Sequence, residues 1–166
     1  MQLPDSLTSI QSNAFAFCKS LENITLPENI TTLGDYVFTD CSSLTSMIIP
    51  DSVTSMGNYV FMNCEKLEEV NLPSGIEEIN TGTFYGCNSL QSITIPEGIR
   101  KIGDMAFNYC DALENIELPN NLSNIGKYSF CGCTSLQSIE LPRSLMTLSD
   151  YAFLNKNWVH SPRLAA

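Results

Sequence analysis

The chain has 166 residues, 43% of them apolar, which is enough to bury a continuous core in one domain. Eighteen acids against eight bases give a formal charge of -10, which argues against nucleic acid or an anionic membrane surface as the main partner. There is no run of about 18 apolar residues to span a bilayer, and Met1 is followed by "QLPDSL" rather than by a basic and then apolar signal region, so no export signal is expected in the chain as it stands.

From the first Leu-Pro at Leu3 onward, the sequence is an internal repeat. Prolines preceded by Leu or Ile stand at Pro4, Pro27, Pro50, Pro73, Pro96, Pro119 and Pro142, every interval being 23 residues. Phe15, Phe38, Phe61, Phe84, Phe107, Phe130 and Phe153 keep the same step. So do Cys18, Cys41, Cys64, Cys87, Cys110 and Cys133, each followed three residues later by a leucine. With no linker or composition shift before about Asn155, residues 1–154 read as one array of about seven units, and residues 155–166 as a degenerate cap or tail.

Each unit opens with a strand pattern. In "SLENITLP" Ile24 and Leu26 alternate with Asn23 and Thr25, and "SMIIP", "EVNLP", "SITIP", "NIELP" and "SIELP" are its equivalents. The proline has no ladder donor, so it ends the strand and turns the chain toward another face. Next, Ile30, Leu33, Val37 and Phe38 are spaced by three and four residues, which predicts a single irregular or helical turn packed on one side. Gly34, Gly57, Gly103 and Gly126 follow the second of these positions and are read as corners with positive φ or a sharp bend. A unit this short cannot bury its own apolar face, so its neighbours must stack, with strands parallel and about 4.8 Å apart.

These columns resemble the BspA-type leucine-rich repeats, a 23-residue class written roughly "LP..I..IG..AF..C..L..I.", over residues 3 to about 154. The resemblance implies an α/β repeat solenoid. Its coil is right-handed, with a parallel sheet on the concave face and short helical or irregular turns on the convex face. It also implies a surface or secreted protein of host-associated bacteria or parasitic protists that serves in adhesion or protein binding.

The cysteines raise a disulfide or metal reading. Six are locked to the repeat and are expected to be buried, free packing thiols, since parallel side chains in a ladder are poorly aimed for bridging. "FCGC" at Cys131 and Cys133 is a CxC without a second pair, so no metal site is expected. Cys131 stands off the ladder and is read as the most exposed thiol.

Catalysis finds little support. His160, the one histidine, lies in the tail, and the pairs Glu68–Glu69 and Glu77–Glu78 are adjacent residues whose side chains diverge on a strand. No phosphate loop is present, and neither an enzyme activity nor a cofactor is expected.

What remains is the outer face of the sheet. The columns headed by Glu22, Asn23 and Thr25 contain eighteen residues over six units, six acidic and none basic. Glu69, Asn71, Ser92, Thr94, Asn115, Glu117, Ser138 and Glu140 are the candidate partner-binding residues, an acidic and hydroxyl-rich patch for a protein with basic residues. The simpler reading is a solvated sheet kept soluble by charge. The first unit has no polar cap, and Lys156, Val159 and Pro162 break the columns in the tail, where Trp158 either closes the last rung or belongs to a frayed end. Two functions follow: a surface adhesion or ligand-binding module in host–microbe contact, or a structural or intracellular scaffold assembling end to end. Sequons at Asn23, Asn29 and Asn121 could carry glycans in a eukaryotic secretory pathway.

Overall fold

The structure, a computed structural model, describes residues 3–154 and the backbone of Arg163–Leu164. The expected strands form in the later units, whereas in "SLENITLP" only Thr25 makes an isolated bridge. Ser46–Ile48, Glu69–Asn71, Ser92–Thr94 and Asn115–Glu117 each run exposed, buried, exposed, and Glu140–Leu141 follows them. Every pairing is parallel, with a residue facing its counterpart 23 positions on: Ser46 with Glu69, Ser92 with Asn115, and Glu140 with Arg163. The strand step thus continues once into the tail. The expectations for Lys156, Trp158, Val159, His160 and Pro162 fall outside the described residues.

A second parallel ladder stands where an irregular or helical turn was expected. Its two-residue strands are Ser9–Ile10, Thr32–Leu33, Ser55–Met56, Glu78–Ile79, Lys101–Ile102, Asn124–Ile125 and Thr147–Leu148. The proline carbonyl makes the corner between the two ladders: it accepts the N–H three residues on, as from Val53 to Pro50 at 3.0 Å and from Ile99 to Pro96 at 3.0 Å.

The third side corrects the α/β expectation, because there is no helix among the described residues. The fold is an all-β solenoid whose third side is a train of turns. Met62 N–H closes a turn on Tyr59 and Cys64 N–H closes one on Phe61, each at 3.2 Å. Between them Tyr59, Phe61 and Asn63 donate to Thr81, Thr83 and Tyr85 of the next coil, at 2.8, 2.9 and 2.7 Å. An α-helix would use all of these donors within its own chain at i−4 and leave none to join the coils. Alternating the destination requires left-handed residues, and they recur at the repeat period: Tyr36 (φ 57°), Tyr59 (57°), Tyr128 (57°), Asp40 (57°) and Asn63 (56°) among them. A non-glycine residue pays about 1–2 kcal/mol for this. Stacked pairs, Tyr36 on Tyr59 at 5.0 Å and Tyr128 on Tyr151 at 5.2 Å, offset about 0.5–1.5 kcal/mol each.

The recurring glycines serve another purpose than a positive φ. A Cβ on Gly57 would lie 2.5 Å from Asp35 N, and one on Gly126 would lie 2.5 Å from the Gly103 carbonyl carbon. They let one coil's backbone sit directly on the next. Gly126→Val is therefore expected to lower the unfolding free energy by about 1–3 kcal/mol. Gly75→Val, where the nearest atom to the added Cβ is 3.5 Å away, should change it little. Urea denaturation of both variants tests this, and equal losses would refute the close-approach role.

Inside the coil, Phe38, Phe61, Phe84, Phe107 and Phe130 are 0% exposed. Their rings stack on one another and on Phe15 and Phe153, with centroids 5.3 to 5.6 Å apart. The phenylalanine column is one unbroken pile through the molecule.

Candidate partner-binding surface

On the longer-strand ladder the central residue of each strand (Met47, Val70, Ile93, Ile116) faces the core, so the flanking residues must face out. Glu69, Asn71, Ser92, Thr94, Asn115, Glu117, Ser138 and Glu140 are all exposed on this one face, with Ser138 two residues ahead of its strand. Register sets Glu117 beside Thr94 and Asn71 beside Ile48. Ile48, 73% exposed, is the one large apolar side chain in these outward columns. The Glu22 column joins the ladder through its backbone, with Thr45 N–H donating to Glu22 and Glu68 N–H to Thr45.

Two features were missed from the sequence. Along the second ladder Lys101 Nζ lies 3.1 Å from Glu78 Oε2, both side chains about half exposed, beside a shallow depression of about 570 Å³ that also touches Glu77 and Arg100. This exposed pair contributes about 0–1 kcal/mol. Their alternation with buried Ile79 and Ile102 was the available signal. At the proline ends of the longer strands two further depressions flank residues 115–120.

Carboxylates outside this face hold the coils together. Asp35 Oδ1 accepts the N–H of Asn58 at 2.6 Å, and Asp104 Oδ1 accepts that of Lys127 at 2.8 Å. Asp51 accepts both the N–H and the hydroxyl of Ser74, which holds its carboxyl below the usual range.

None of the seven cysteines is bridged to another by a disulfide. The buried ones are more than packing groups: the thiols of Cys41, Cys64, Cys87, Cys110 and Cys133 each donate to the carbonyl of a phenylalanine in the preceding coil, at 3.1 to 3.2 Å. Burial pushes the Cys41 thiol up to about 11 and Cys133 to about 12, Cys64 and Cys87 higher still, and Cys110 well above its ordinary value. Cys18 departs from the expectation of six buried ladder thiols. It is half-buried, as is Cys131. Under native conditions iodoacetamide should therefore modify Cys131 and Cys18 well before Cys87, and peptide mass analysis of timed samples showing equal rates would contradict the packing.

No group of three or more His, Cys, Asp or Glu side chains is placed to hold a metal among the described residues. None of the described helices or strands is a helix long and apolar enough to cross a membrane.

The profile of the BspA type leucine rich repeat region matches residues 1–113 and 57–162, with six copies. The chain belongs to the BspA-type leucine-rich repeat family. Among solved structures, the array is similar to a leucine-rich repeat protein from Bacteroides ovatus, with 35% identity, TM-score 0.83, and coverage of 87% of this chain and 37% of that one. It is also similar to one from Eubacterium ventriosum, with 26% identity, TM-score 0.87, and coverage of 99% and 45%. A leucine rich cell surface protein from Faecalibacterium prausnitzii shares 30% identity over 82% of this chain and 52% of its own, with TM-score 0.57. The BspA-type array thus spans less than half the length of the first two proteins. No curated protein matches it.

Proposed function

We propose that this BspA-type array is a protein-binding module, that the outer face of its longer-strand ladder is the binding surface, and that it works in adhesion at a cell surface in host–microbe contact. The observation that carries this reading is the gathering of Glu69, Glu117 and Glu140 with exposed hydroxyl and amide side chains on one face, whose eighteen outward positions from Glu22 to Glu140 include no Lys or Arg before the column reaches Arg163. Such a face favours a partner with basic residues, because complementary charge speeds encounter and sets register. Similarity to a cell surface protein supports the location.

Replacing Glu69, Glu117 and Glu140 by Lys is expected to weaken capture of basic extracellular proteins and to reduce its salt dependence, while stability changes by only about 0.5 kcal/mol per site. Asp35 and Asp104 are unsuitable as charge controls, since their carboxylates bond the next coil's backbone. Glu65 and Asp111, exposed on the turn side, serve instead. Equal binding of a purified partner by the parent, the triple variant and the control would remove this face from consideration.

A further inference from the structure

The proline ends of the longer strands hold a groove that the outward columns alone do not reveal. In five of the six strand-ending positions that precede a proline from Pro27 onward, the aliphatic residue is buried: Leu26, Ile49, Leu72, Ile95 and Leu141. Leu118 is the exception and is only partly buried. The ladder is also interrupted beside it: Asn115–Glu117 bonds to Ser92–Thr94 on one side but does not share a hydrogen-bonded sheet with Glu140–Leu141 on the other, an interruption that also occurs between Glu69–Asn71 and Ser92–Thr94. Between Asn115–Glu117 and Glu140–Leu141 opens a depression of about 550 Å³ lined by Glu117, Leu118, Ser138, Glu140 and Pro142 among others. A neighbouring depression of about 580 Å³ shares the 115–120 wall and extends to Ile95, Pro96 and Glu97.

Together the two depressions cross three successive coils. Their floor is aliphatic and prolyl (Ile95, Pro96, Leu118, Pro119, Pro142), and their walls carry Glu97, Glu117 and Glu140. No Lys or Arg lines either depression among the described residues.

We infer that this groove seats an extended basic segment of the protein partner, lying across the strands along the array axis, with the stems of its Arg or Lys side chains over Leu118 and the prolines and their charged heads on Glu97, Glu117 and Glu140. The inference rests on the reading of the longer-strand face as the binding surface, and it places the energetic centre of that surface at the proline edge. Long basic side chains suit such a floor because their methylene stems bury on apolar surface while the head groups stay at polar rims. Guanidinium groups add charge-assisted hydrogen bonds to carboxylates. The spacing also fits. Successive coils are about 4.8 Å apart and alternate residues of an extended peptide about 6.6 Å apart, so two or three basic residues reach carboxylates spread over three coils.

The probe is a fluorescent, end-blocked ten-residue peptide alternating arginine and threonine, compared with a peptide of the same composition in which the arginines are contiguous. Binding is read by anisotropy against the parent array and three charge-matched variants, each confirmed folded by its melting transition. These are Glu117→Gln with Glu140→Gln in the groove, Glu68→Gln with Glu69→Gln on the sheet face away from it, and Glu65→Gln with Asp111→Asn on the turn side. The expected result is tighter binding of the alternating peptide, weakened about tenfold or more in the groove variant and by less than about twofold in the other two. Equal weakening in the groove and sheet-face variants would overturn the groove while leaving the face as the binding surface. Equal weakening in all three would overturn both readings. No binding of the alternating peptide at millimolar concentration, or no preference over the contiguous one, overturns the groove.

Discussion

Raising the pH from 7.5 to 10 is expected to remove several kcal/mol of stability, because the array buries a column of protonated thiols. In the unfolded chain a cysteine ionises near about 8.5. Folded, Cys41 is pushed up to about 11 and Cys133 to about 12, Cys64 and Cys87 beyond that, and Cys110 well above its ordinary value, burial being the main cause in each case. A raised value means that each thiol's contribution is complete below the unfolded value and is lost as the pH climbs toward the folded one. Above about pH 8.5 the unfolded chain binds fewer protons than the native one, so stability falls by up to about 1.4 kcal/mol per pH unit for each buried thiol. Several thiols acting together approach the about 5–15 kcal/mol that holds a typical domain.

Tyr59, whose hydroxyl is also raised by burial, adds to the slope at the upper end. Cys87→Ser isolates one thiol's share, since serine keeps a donor for the Phe61 carbonyl but does not ionise in this range. Guanidinium denaturation at pH 7.5, 9 and 10 should show a shallower decline for Cys87→Ser than for the parent. Parallel declines would mean that the thiol column is not the titrating element.

Phe84→Ala is expected to cost about 3–5 kcal/mol. The ring is 0% exposed and lies between Phe61 at 5.6 Å and Phe107 at 5.3 Å, so its removal leaves a gap in the middle of the stack that neither neighbouring coil can fill without breaking its backbone bonds to the next. In a solenoid each unit contacts only its neighbours, so a central gap also weakens the coupling of the two halves. Urea unfolding of Phe84→Ala should therefore broaden or divide into two transitions, with a lower m-value than the parent. Phe15→Ala, at a half-buried ring stacked on Phe38, should cost clearly less and leave one transition. A loss below about 1 kcal/mol at Phe84 would take the phenylalanine column out of the core.

The period of 23, the buried columns of Phe84, Cys87 and Leu90, and the outward side chains of Glu69 and Glu117 were all legible in the sequence. A repeat writes each environment several times over, and a strand's alternation separates its two faces. The second ladder was not legible. Thr32–Leu33 and its equivalents are two residues long, too short to show a period, and their partners lie 23 residues away in the chain. Ile30, Leu33 and Val37 are spaced as a helical turn would space them, and that spacing could not tell a helix from a train of turns. Tertiary structure decided it, because every second N–H on that side is needed by the next coil. Gly57 carried the same ambiguity: a glycine marks either an unusual φ or a close approach, and only the stacked backbone, 2.5 Å from where a Cβ would stand, shows which. The thiol donors, the carboxylates that bond the next coil and the groove beside Leu118 are likewise properties of one coil set against another. Each depends on which atoms of neighbouring coils meet, and this is fixed by the hydrogen-bonded register between coils rather than by the pattern within any one of them.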